Sequence, residues 1–102
     1  MNASDRQMRE LCKDFINQAI SLEFFLGDFA DRFLSSDGLR EHRFECKVSE
    51  DIQSFVDIYV VIPEGQRKRD LPRMVLDDGL PTITEARFRK ALKRYLAKYP
   101  DS

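Results

Sequence analysis

Eighteen carboxylates, one histidine and two cysteines are the side chains through which this 102-residue chain could do chemistry. His42 lies among Arg40, Glu41 and Arg43 and reads as a solvated loop residue. A general base needs a partner to deprotonate, and no serine or cysteine is set beside it in a catalytic pattern. Cys12, Cys46 and His42 do not make a zinc-ligand motif. Two cysteines are too few for a disulfide scaffold and suit a reducing compartment. There is no glycine-rich phosphate loop, no nucleophile elbow and no paired histidines, and only four glycines in all. The expectation is a binding protein, not an enzyme, with no catalytic residue, cofactor or metal.

The carboxylates offer electrostatics instead. Glu50, Asp57 and Glu64 recur every seven residues within Ser49–Arg67. At 100° per residue they share one side of a helix, while Ile52, Phe55, Val56, Tyr59 and Val60 share the other. Ser49 suits an N-cap, Glu50 and Asp51 suit the positive end of the helix dipole, and Pro63 ends the element. Glu64 stands just past that proline. Val61 lies between Asp57 and Glu64 and would supply an apolar anchor in a partner-binding surface. A second reading stays open. Phe55, Val56 and the run from Ile58 to Ile62 favour strands, and Phe44, Cys46 and Val48 alternate with Arg43, Glu45 and Lys47. A hairpin over about 43–62 would then replace the helix.

The charge is unevenly spread. Residues 1–66 hold 7 Lys and Arg against 13 Asp and Glu, and residues 67–102 hold 10 against 5. Two explanations stand: cross-helix pairing inside a bundle, or an acidic surface kept for a basic partner.

The remaining elements must position these groups. A first helix runs from about Ser4 to Ala19, with Met8, Leu11, Cys12, Phe15, Ile16 and Ala19 inward. Cys12 falls within that stripe and reads as a small buried apolar side chain. After a break at Ile20, Ser21 caps a second helix to about Leu34, with Leu22, Phe25, Leu26, Phe29 and Phe33 inward. Phe24 projects away from that face, beside Asp28 and Asp31; it either packs on another element or joins those acids as a partner contact. Turns are expected at residues 35–38 and 77–81, around a cation-rich loop with Arg67, Lys68, Arg69 and Arg73. Leu71, Met74, Val75 and Leu76 would pin that loop to the core. Thr82 or Thr84 caps a last helix to about Tyr99, with Phe88, Ala91, Leu92, Tyr95, Leu96 and Tyr99 inward and six cations outward. The size fits one domain with one core. No apolar run approaches the roughly 20 residues a membrane helix needs, and no secretion signal is visible at the N-terminus. The pattern predicts an all-α, antiparallel four-helix bundle, with α+β as the alternative if 43–62 is a hairpin.

The order of features resembles the colicin-D-type immunity proteins, a bacterial self-protection family. Phe15, Ile16, Ile20, Ser21, Phe25 and Phe29 are similar to its first two helices and the short break between them. Tyr59, Pro63, Glu64 and Arg67 resemble its Tyr–Pro–acid–Arg segment, and Asp77, Asp78, Gly79, Ile83, Glu85, Phe88 and Leu96 its acidic turn and final helix. The likeness covers residues 8–99. It implies a cytoplasmic, non-enzymatic four-helix bundle that neutralises the nuclease domain of a cognate toxin cutting transfer RNA. Its carboxylates would stand in for RNA phosphates at a cationic active site, with Glu64 close to the covered surface. Two segments depart from the family: Tyr59–Ile62 is more apolar and Arg67–Arg73 more basic. Glu50, Asp57, Val61, Glu64, Asp28 and Asp31 are therefore the candidate partner-binding residues.

Two rival functions remain. A small RNA- or DNA-binding regulator would use the basic last helix, although a pI of about 5.8 is low for such a domain. An adaptor would dock through Phe24 and Ile58.

Overall fold

Five phenylalanines, Phe15, Phe25, Phe29, Phe33 and Phe88, are fully buried and draw the helices together. The computed structural model describes residues 3–35, 43–71 and 79–98. Four α-helices dominate: α1 (Ala3–Ile16), α2 (Leu22–Phe29), α3 (Lys47–Ile58) and α4 (Glu85–Ala97). A two-stranded parallel sheet pairs β1 (Val60–Ile62) with β2 (Thr82–Thr84), Val61 opposite Ile83. The expected turn at 36–38, His42, residues 73–78 and the Tyr99–Pro100 terminus lie outside the described residues.

Most of the apolar stripes read from the sequence form the core, although Ala19, expected inward, is exposed. Met8, Leu11, Cys12 and Phe15 of α1 are buried, as are Leu22, Phe25 and Phe29 of α2 and Phe33 just beyond it. Ile52 and Val56 of α3 and Phe88 and Leu92 of α4 complete it. Phe15 stacks on Phe25 with centroids 4.7 Å apart, and Phe88 meets Phe15 edge-on at 5.9 Å. Phe88 also stacks on the half-buried Phe55 at 5.2 Å, which ties α3 to the cluster. Offset-stacked and edge-on pairs at these separations add to the energy of burial.

Two helix ends differ from the sequence reading. α1 stops at Ile16, not Ala19. Gln18 turns left-handed at φ 64°, Ala19 donates to the Asp14 carbonyl at 2.8 Å, and Gln18 to that of Phe15 at 3.0 Å. This is a Schellman closure built without glycine. α2 begins as expected, with Ser21 accepting from the Phe24 amide at 3.1 Å, and continues as a π-helical turn over Ala30–Leu34. Gln53 of α3 donates to the Phe33 carbonyl there at 2.6 Å, satisfying an acceptor that the helix end leaves over.

The Ser49–Arg67 expectation is corrected in two respects. The helix forms, but it starts at Lys47 with Cys46 as N-cap, so Ser49 lies inside it and is buried. It ends at Ile58, five residues before Pro63, because Tyr59 is already extended and Val60–Ile62 pairs with β2. The hairpin over 43–62 does not form either: the strand character is confined to 60–62, and its partner is Thr82–Thr84, far along the chain. A mostly helical chain with a small parallel sheet results, the crossover being residues 63–81. The β-branched Thr-Ile-Thr of β2 supplies the match. Thr84 then caps α4, accepting from the Arg87 amide at 3.4 Å.

α3 lacks a side-chain cap of its own, and α1 provides one. Asp5 is fully buried and its carboxylate accepts from the backbone amides of Glu45 at 3.0 Å and Cys46 at 3.1 Å. Of the two amides, that of Cys46 is the N-cap donor the helix leaves over, that of Glu45 lies one residue before it, and a carboxylate beside both suits the positive end of the dipole. An acid in the first turn of α1 thus anchors the residues that lead into α3.

Candidate acidic interface

α3 carries Ile52 and Val56 inward, so the positions opposite must face water. Glu50 and Asp57 are both exposed there, two turns apart, which is roughly 10 Å along the axis. Neither makes an ion pair among the described residues. Asp51, on the same helix, is half-buried and pairs with Lys47 at 3.5 Å. Ile58 ends the helix with 48% of its surface exposed.

Glu64 does not extend this row. It follows β1 rather than α3, so helical spacing no longer relates it to Asp57. Its side chain is exposed, and its backbone amide donates to the Glu85 carboxylate at 3.3 Å. Glu85 also accepts from Arg89 at 2.8 Å, and the Arg89 guanidinium lies 4.9 Å from the centre of the Phe15 ring. This half-buried pair clamps the end of β1 onto α4; charges desolvated this way are held by mutual pairing and the aromatic face. Val61 is corrected as well. Its side chain is 8% exposed, packed in the core on β1, and shows only an edge to a shallow apolar groove shared with Leu22, Leu26 and Pro63. An anchor that is already buried offers a partner little new area.

Asp28 and Asp31 separate. Asp28 is half-buried and accepts from the Arg32 guanidinium at 3.1 Å. Asp31 is exposed, and its carbonyl accepts from the Ser35 hydroxyl at 2.7 Å. Phe24 is 58% exposed, so it is not packed away on another element. It stands in a groove of about 270 Å³ between α1 and α2 with Glu10, Asp14 and Asp28. Glu10 and Asp14 are not among the sequence candidates, since helical spacing by itself marks them only as solvent-facing. Their signal was the repeat Gln7, Glu10, Leu11, Asp14, one edge of a helix, but it gains meaning only when α2 lies alongside.

The opposite charge has its own address. Arg87, Lys90, Lys93, Arg94 and Lys98 of α4 are exposed, and Arg67, Lys68 and Arg69 are exposed around a 3-10 turn at Lys68–Asp70. Cys12 is a buried free thiol and Cys46 a half-buried one. Burial pushes the Cys12 thiol up from its ordinary 9.0 to about 12, which keeps it protonated at neutral pH. No group of three or more His, Cys, Asp or Glu among the described residues could hold a metal ion. No helix among the described residues is long and apolar enough to cross a membrane. Comparison with protein-family models, curated proteins and solved structures finds no match for this chain.

Proposed function

We propose that this protein is an inhibitor of a cationic protein, in the manner of an immunity protein that covers the active site of a cognate nuclease toxin in the cytoplasm. The observation that carries the reading is the outer face of α3. Two exposed carboxylates, Glu50 and Asp57, stand two turns apart with no ion pair among the described residues, next to the exposed Ile58. Pairing among the described residues therefore does not account for these acids. Held on a helix whose lead-in residues are anchored by Asp5, they present fixed negative charge at a spacing suited to a phosphate-binding cleft. Such charge steers encounter and selects the partner, while neighbouring apolar area resists dissociation. Inhibition needs no chemistry from this chain: occupying the cleft excludes the RNA. The resemblance in the order of Phe15–Phe29, Tyr59–Arg67 and Gly79–Leu96 supports the same reading.

The test takes any nuclease domain that the neighbouring reading frames are found to encode. Wild-type protein should bind it and block cleavage of transfer RNA. Glu50→Lys with Asp57→Lys should weaken binding at least about a hundredfold, with unchanged helical content. Undiminished inhibition by the doubly reversed protein would overturn the assignment of this face. Absence of any cationic nuclease partner would overturn the function.

A second reading has its own observation, the five exposed cations on α4 together with Arg67, Lys68 and Arg69. A small nucleic-acid-binding regulator would use them. Labelled RNA should then bind the isolated protein with an affinity that falls steeply with salt. Flat, weak binding across salt would remove this alternative.

A further inference from the structure

The groove between α1 and α2 differs from ordinary solvated surface in three ways. Its wall includes an aromatic ring, Phe24, that is more than half exposed although helix α2 could have placed a polar residue there. Its α1 side carries Glu10 and Asp14 one turn apart, exposed and without an ion pair among the described residues. Like charges at that spacing work against the helix by roughly 0.2–0.5 kcal/mol, so the fold gains nothing from them. Its α2 side already holds one guanidinium: Arg32 rests on Asp28 at 3.1 Å, both lining the groove. The cavity is thus suited to guanidinium groups, and one of its two acidic sides has no counter-ion among the described residues.

We propose that this groove seats an arginine side chain from a cationic protein partner, its charge facing Glu10 and Asp14 and its planar group lying on Phe24. The inference rests on the reading of this chain as an inhibitor of a cationic protein and adds a second contact region to the α3 face. Arginine fits better than lysine because a flat, weakly hydrated cation stacks on a ring while its donors reach carboxylates. Leu11 and Ile20, which also line the groove, complete an apolar floor for the side-chain stem. Nucleic acid is disfavoured here, since the rim is anionic.

The probe is a blocked nonapeptide of alternating arginine and alanine, followed by NMR of the labelled full chain. Amide shifts should concentrate at Gln7, Leu11, Ile20 and Phe24. Phe24→Ala should weaken binding about tenfold, Phe24→Tyr should restore it, and a lysine peptide should bind more weakly. A citrulline peptide, flat but uncharged, should not bind. Shifts spread evenly over every acidic surface, or a Phe24→Ala protein that binds as wild type does, would overturn the proposal. The exposure of Phe24 leaves the fold of these variants intact, which thermal melts check. The nuclease domain then separates the two readings. If it binds the Phe24→Ala protein unchanged but not the Glu50→Lys, Asp57→Lys protein, the groove falls and the function stands. If the peptide seats in the groove and no nuclease domain binds, the function falls and the groove stands.

Discussion

Removing the Asp5 carboxylate tests how the acidic face of α3 is held in place. Asp5 is fully buried and accepts two backbone hydrogen bonds, at 3.0 and 3.1 Å, from the residues that open α3. Hydrogen bonds to a charged group contribute about 1.5–3 kcal/mol each. They share one acceptor group, so their sum overstates the loss. In Asp5→Ala two amides lose a buried partner and the helix loses its only described cap, for a net cost of about 3–4 kcal/mol. Asp5→Asn keeps one carbonyl oxygen but presents a donor to a donor, at a cost of about 2 kcal/mol. With total stabilities of about 5–15 kcal/mol for small domains, the alanine variant should sit near the margin. Urea unfolding reads this directly: at roughly 1–3 kcal/mol/M, the alanine midpoint should fall by about 1–4 M. Asp14→Asn, exposed on the same helix, should stay within about 0.5 kcal/mol and serves as control. Hydrogen exchange in the first turn of α3 should rise more than in α4. An alanine variant within about 0.5 kcal/mol of wild type would refute the argument that a buried carboxylate in α1 anchors the residues that lead into α3.

Other variants examine separate links. Gln18→Gly should stabilise by about 0.5–1 kcal/mol, seen as a raised melting temperature, because glycine adopts the left-handed φ of 64° without the strain a Cβ brings. Native protein should show one thiol to an aqueous thiol reagent, the half-buried Cys46, and both only on unfolding, since Cys12 is fully buried. The same burial makes stability pH-dependent in the alkaline range. The folded chain keeps the Cys12 proton between 9.0 and about 12 while the unfolded chain releases it, so this contribution is intact below 9.0 and is lost as the pH rises toward 12. Cys12→Ala should flatten that slope in urea melts taken at pH 8 and pH 10.5.

What was legible in the sequence is what local periodicity encodes. A stripe such as Met8, Leu11, Cys12 and Phe15 must face inward wherever the helix lies, because leaving it in water is costly at every orientation. The same logic found the inner faces of α2 and α4, the cap at Ser21, and the outward positions of Glu50 and Asp57, and it left the cap of α4 between Thr82 and Thr84, which the fold resolves as Thr84. It failed at Val60–Ile62, where an apolar β-branched run suits either a helix face or a strand. Tertiary structure decided that run by bringing Thr82–Thr84 beside it, and with the switch Glu64 left the carboxylate row and Val61 entered the core. Local spacing carries no record of a partner twenty residues away. The same holds for Asp5 at the head of α3 and for Glu10 and Asp14 facing Phe24. Each of those groups is polar and ordinary in its own helix, and its role exists only because a second element is packed against it.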